Sequence, residues 1–215
     1  MASESRDPGR IVVPGVGRVV VRPDVAGLRL GVVVVRPTAG EARQAAAATM
    51  TAVVDALQAG GVEPKDLRTS LVSLDAVRDY SSERGPRVTG YQLSNAVEAT
   101  IRTIDAAGGL IDAALAAGAT SLDGLSFRLA DPRDALAEAR RLAVADARAR
   151  AETLAGEAGV ELGRVVAITE GGFVAPGPPL PMAELHMKSA SDVATPVEAG
   201  TDELSVTVSV TYAIA

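Results

Sequence analysis

Along this chain, segments with an apolar residue at every second position alternate with segments that have one at every third or fourth. They follow the order ββαββαβαββ, which few folds accommodate. Residues 11–21 and 25–35 are rich in β-branched side chains, and Pro23-Asp24 between them supplies a turn signal, so the pair reads as a hairpin. In the second strand Ala26, Leu28, Leu30, Val32 and Val34 share one face, while Val33 and Val35 lie on the other, which predicts cover on both faces near its end. Thr38 followed by Glu41 forms a capping box. The helix it opens repeats Ala42, Ala46, Met50, Val53, Val54 and Leu57, and stops at Gly60-Gly61.

Residues 67–80 read as a strand, and in the next one Tyr91, Leu93, Val97, Ala99 and Ile101 point inward. A short helix over about 105–117 buries Leu110, Ile111, Ala114 and Leu115, and Leu125, Phe127 and Leu129 then alternate. The longest helix begins at Asp131-Pro132, with Asp134 in its first turn. Its stripe runs Leu136, Ala139, Ala143, Ala147, Ala151, Leu154, Ala155 and Ala158 up to Gly159, small enough to allow close approach to a neighbour. Residues 164–170 form a further strand. The closing strand alternates Leu204, Val206, Val208, Val210, Tyr212 and Ile214 with small polar residues.

Residues 25–130 spell β-α-β-β-α-β, two split βαβ units that can wind right-handed into one antiparallel sheet, so a ferredoxin-like central unit is expected. The first strand, the long third helix and the last two strands would build a second layer. The class is therefore α+β. Residues 1–9 read as a disordered arm and 10–215 as one domain, with sub-lobes at 25–130 and at 10–24 with 131–215. Residues 171–203, with five prolines, form a loop long enough to be either functional or disordered.

Composition narrows the function. A net charge of −6 disfavours binders of nucleic acid or anionic membranes, which need a cationic footprint. The 2% aromatic content removes the stacking platform of single-strand binders. The absence of cysteine excludes disulfides and thiolate chemistry. No run approaches the roughly 18 apolar residues of a membrane span. The polar start, Met1-Ala2-Ser3-Glu4-Ser5-Arg6, lacks the apolar stretch of a secretory signal, so the sequence reads as cytoplasmic.

Catalytic constellations do not emerge. Gly15-Val16-Gly17 leads into a strand rather than a helix, so it marks a bulge or tight backbone contact and not a dinucleotide loop. His186, the only histidine, reads as an exposed loop residue. The pairs Asp75/Asp79, Asp131/Asp134 and Asp202/Glu203 flank turns or cap a helix. Arg140, Arg141, Arg148 and Arg150 are interleaved with Glu138, Asp146, Glu152 and Glu157, the pattern of an ion-paired solvated face. No catalytic, cofactor or metal residue is therefore nominated. Asn95 stands apart as an amide on the inward face of an apolar strand. Two readings stand: it ties down a bulge or neighbouring backbone, or, with Tyr91, it lines an apolar ligand pocket.

The ordered set Gly15-x-Gly17 with Pro23-Asp24, Gly60-Gly61-Val62, Gly90-Tyr91-x-x-Ser94-Asn95, Leu110-Ile111-Asp112-x-Ala114 with Gly118-Ala119, Ala143-x-x-Asp146-Ala147 and Leu162-Gly163 resembles the SIMPL-domain family. That family includes bacterial periplasmic immunogenic and stress-defence proteins. The resemblance implies an α+β fold, assembly into large ring-like homo-oligomers and links to stress protection, with no established catalytic residues to carry over. The leading expectation is a non-enzymatic, self-assembling scaffold, with a small-ligand binding module as its rival. Assembly contacts are expected from the last strand, long and uncharged from Leu204 through Val206, Val208, Val210 and Tyr212, because such a strand is seldom left as an open edge.

Overall fold

The computed structural model describes residues 9–81, 85–171 and 195–215. Its elements run β1 (Arg10–Val21), β2 (Val25–Arg36), α1 (Ala39–Ala59), β3 (Leu67–Asp79), β4 (Arg87–Ile101), α2 (Ala107–Ala116), β5 (Ser121–Arg128), α3 (Arg133–Ala158), β6 (Leu162–Glu170) and β7 (Asp202–Ile214). Among the described residues these are three helices and seven strands in two antiparallel sheets, an α+β fold in the order read from the sequence. They divide into two compact units. Of the described residues, one draws on 9–22, 131–171 and 200–215, the other on 23–81, 85–130 and 195–199.

The unit around residues 23–130 holds a four-stranded sheet in the order β3-β4-β2-β5, every neighbour antiparallel. The Thr38 side chain accepts from the Glu41 amide while Glu41 accepts from the Thr38 amide, so the capping box starts α1 as its sequence specifies. Helix α1 lays Ala46, Met50, Val53 and Leu57 against Leu28, Leu30 and Val32 of β2 and Leu93 and Val97 of β4, and α2 adds Leu110 and Ile111. The opposite face of the sheet is open: Val33 and Val35 of β2 are exposed, so the predicted double cover does not form. Asp112 of α2 accepts from the backbone N–H and the hydroxyl of Thr195, and these bonds draw its carboxyl below the usual range.

The other unit is a three-stranded sheet in the order β1-β7-β6 under α3. The expected hairpin is therefore corrected. β1 pairs with β7, β2 pairs with β4 and β5, and Pro23-Asp24 is the passage from one sheet to the other. The Asp24 carboxylate accepts from the Ala130 amide, and the Asp24 amide donates to the Arg128 carbonyl, so the turn residue is spent on the end of β5.

Close approach governs this second unit. Ala139, Ala143, Ala147, Ala151 and Ala155 of α3 are buried at four-residue spacing over β1 and β7, while Leu154, expected in that stripe, is half exposed. Beneath the stripe, a Cβ added at Gly15 would lie 2.0 Å from the Ala143 carbonyl oxygen, and one at Gly17 1.8 Å from that of Ala139. The glycine pair is thus a packing surface for a helix backbone. Asp146 completes the contact by accepting at 2.8 Å from the amide of Val16, which lies between the two glycines, and by pairing with Arg150. Two of the sequence motifs, Gly15-x-Gly17 and Ala143-x-x-Asp146-Ala147, are the two sides of this one contact.

The Val16 bond, seconded by Arg150, holds the Asp146 carboxyl below its ordinary value. A depressed folded-state pKa gives stability that is complete above the unfolded value near 3.9 and is lost as pH falls through the folded one. Asp146→Asn is therefore expected to reduce the loss of stability below about pH 4, measured by denaturant melts across pH 2–6. An unchanged acid limb would show that the Val16–Asp146 bond adds no pH-dependent stability.

Candidate functional site

Tyr91 and Asn95 lie on the same face of β4, as their alternation predicts, and both look toward α1. They do not share a cavity. Tyr91 packs with Ala42, Ala46 and Leu93 near the start of the helix. Asn95 forms the floor of a separate depression of about 300 Å³ whose walls are Ala47, Met50, Thr51 and Val54 of α1. The depression exists because α1 sits over β2 and β4 and stops short of the edge strand β3. By register Val72 of β3 lies opposite Asn95 on the same face, and it is 63% exposed.

The first reading of Asn95, an amide satisfying neighbouring backbone, is not what the structure shows. Its Oδ1 is buried and has no hydrogen-bond partner among the described residues. Removing an unsatisfied buried polar group in favour of an apolar one of similar size is neutral or favourable. Asn95→Leu is therefore expected to leave stability unchanged or raise it by about 1 kcal/mol. A loss above about 1 kcal/mol in a denaturant melt would mean that the amide is satisfied after all.

A second constellation escaped the sequence reading. On the open face of the four-stranded sheet, Arg29 of β2 lies 3.7 Å from both Glu98 of β4 and Asp123 of β5, in a depression of about 420 Å³ floored by Gly27 and Gly124 and flanked by Ser126 and Arg128. Glu98 also binds Arg68 of β3, and that hydrogen bond chiefly keeps its carboxyl below the normal range. Each carboxylate is committed to an arginine, so with Arg68 the cluster is an ion-pair network bracing all four strands. Only register brings residues 29, 98 and 123 together, which is why outward alternation along single strands did not reveal it.

The proposed assembly residues fall elsewhere than expected. Leu204, Val206, Val208, Val210 and Tyr212 are all buried, the last four in the core of their own unit, and β7 is the central strand, bonded to β1 and β6. The open-edge argument therefore does not apply to it. It applies instead to β6, where every residue after Leu162 is exposed and the run includes Val165, Val166 and Ile168. On α3, the Arg141–Glu138, Arg148–Glu152 and Arg150–Asp146 pairs form the solvated ion-paired face. Among the described residues no three acidic or histidine side chains gather as metal ligands, and no helix is long and apolar enough to cross a membrane. His186, residues 1–8 and most of the Pro-rich loop lie outside the described residues.

Comparison with known proteins agrees with the motif order. The family model described as SIMPL, protein of unknown function (DUF541), matches residues 11–212. The chain is similar to the 26 kDa periplasmic immunogenic protein of Brucella melitensis, 34% identical over 215 residues, covering 96% of this chain and 85% of that one. The protein of the same name from Brucella abortus matches equally. The uncharacterized protein YggE of Escherichia coli is 29% identical over 193 residues, covering 89% and 77%. The Brucella names overturn the cytoplasmic expectation. That expectation rested on the polarity of the first residues alone, whereas relatives spanning nearly the whole chain are named for the periplasm.

Proposed function

The chain belongs to the SIMPL family, and from that premise we propose that it is a periplasmic, non-enzymatic protein that assembles from copies of itself. The observation that carries the assembly is β6. An edge strand exposed along eight of its nine residues, with Val165, Val166 and Ile168 between 42% and 53% exposed, is a surface that natural sheets cover, pair or charge. A second copy supplies both a strand for the free edge and apolar cover for the side chains.

The motif residues support the non-enzymatic part. Gly15, Gly17 and Asp146 hold α3 on β1, Asp24 ties off β5, Gly90 lets β4 approach the Arg36 carbonyl, and Asp112 anchors Thr195. Each of these residues has a structural partner that accounts for it. The periplasmic assignment follows the Brucella relatives, and a scaffold role in stress protection follows the family resemblance.

Light scattering coupled to gel filtration tests the assembly. The natural chain is expected to elute as a multiple of its 21.8 kDa mass, and the double variant Val166→Lys, Ile168→Lys as a monomer with its far-ultraviolet circular dichroism unchanged. A natural chain that stays monomeric at all micromolar concentrations would overturn the scaffold reading. A double variant that still assembles would move the interface away from β6.

A further inference from the structure

We infer that the free edge of β3 is a docking site for an extended segment of a different polypeptide, one with apolar side chains at alternate positions and a lysine or arginine set against Asp75. The argument begins with the backbone. β3 is the end strand of its sheet, bonded among the described residues to β4 alone, so its outer row of N–H and C=O groups has no strand to pair with. Its register against β4 shifts between Thr69 and Leu71 and again between Val77 and Arg78. Between those two irregularities Leu71–Val77 is an unbroken stretch, without proline and with Asp75 as its one charge. Natural edges are blunted by bulges, prolines and charges. The middle of β3 has none of these but Asp75.

The side chains specify the rest of the partner. Val72, Leu74 and Ala76 pair across to Asn95, Leu93 and Tyr91, on the sheet face that carries α1. Because α1 stops short of β3, Val72 remains 63% and Leu74 47% exposed. On the opposite face Leu71, paired with Ala96, is 44% exposed. A strand added at this edge brings side chains alongside both faces, with opposed Cβ atoms about 5 Å apart, and covers all three. Asp75 supplies the charge preference. It is exposed, lies opposite the neutral Gln92 of β4, and has no ion-pair partner among the described residues. A second copy does not provide one. In the antiparallel register that lays Leu71–Val77 along itself, Asp75 meets Ser73 of the other copy, and the two Asp75 side chains sit diagonally on one face. The complement is therefore a basic side chain on another polypeptide. β3 and β6 belong to different sheets, so this docking neither requires nor excludes the assembly proposed above.

Two capped peptides as long as Leu71–Val77 test this. In both, valine alternates with threonine, and one threonine is replaced by lysine in the first and by glutamate in the second. Titrated into the full chain, the lysine peptide is expected to shift the Val72 and Leu74 methyl resonances and to slow hydrogen exchange at amides of β3. Its affinity should exceed that of the glutamate peptide by about fivefold, the effect of exchanging a like-charge cross-strand pair for an opposite one. In Asp75→Lys, a change at an exposed position, the order of the two peptides should invert. The inference is overturned if neither peptide moves the Val72 and Leu74 methyls at millimolar concentration. It is equally overturned if the two bind alike, or if their order survives Asp75→Lys. Methyl shifts at Val72 and Leu74 on diluting the chain alone would give the edge to a second copy and overturn it too. Because the readout is specific to β3, a failure of the β6 assembly leaves it unchanged.

Discussion

Gly17→Ala is expected to destabilise the β1-β7-β6 unit by about 3 kcal/mol or more, the upper end of what overpacking costs. The added methyl would sit 1.8 Å from the Ala139 carbonyl oxygen and 2.5 Å from the Ala143 amide nitrogen. Both are backbone atoms of α3. A side chain in the way can rotate to another well, but a helix backbone must move as a body, taking with it the packing of Ala143, Ala147 and Ala151. The loss should appear as a lower denaturation midpoint and as faster hydrogen exchange at the amides of β1 and β7. A cost below about 1 kcal/mol would show that α3 rides on β1 more loosely than the contact distances state.

Leu30→Ala is expected to cost about 2–5 kcal/mol in the other unit, through a cavity rather than a clash. Leu30 is 0% exposed, paired across the sheet with Val97 on β4 and Leu122 on β5, and packed in the cluster with Met50, Val53 and Leu57. The surroundings cannot easily collapse into the space. Val97 is fixed on a strand bonded on both sides, so Met50 is the neighbour best able to shift. Exchange at β2 and β4 amides reads the effect. A loss under about 1 kcal/mol would mean that Met50 fills the vacancy.

The contrast between these variants bears on what could be read without coordinates. The Ala139-to-Ala155 stripe and the strand Gly15-x-Gly17 each announce a surface with no side-chain bulk, and both were legible as close-approach surfaces. Periodicity also placed Asn95 on the inward face correctly. It did not say what faces Asn95, because that depends on α1 ending its cover at β4, a matter of helix position rather than of helix phase. The hairpin misreading has a similar origin. Pro23-Asp24 says that the chain bends, and nothing local says which sheet receives the next strand. The last strand likewise declares by alternation which side is buried, yet its two neighbours are β1 and β6, and those pairings are set by register across distant sequence.

That register has a consequence for how the chain is made. Residue 10 pairs with residue 213, and among the described residues β1 bonds to no strand but β7. The four strands of the β3-β4-β2-β5 sheet, by contrast, all lie within residues 25–128. A polypeptide emerging from the ribosome amino end first therefore acquires everything that sheet needs while β1 is still without a mate. Long-range pairings of this kind form late and leave apolar strands open to wrong partners in the meantime. That sheet can form early, with residues 195–199 joining its unit only later. The other unit stays unfinished until β7 has been released.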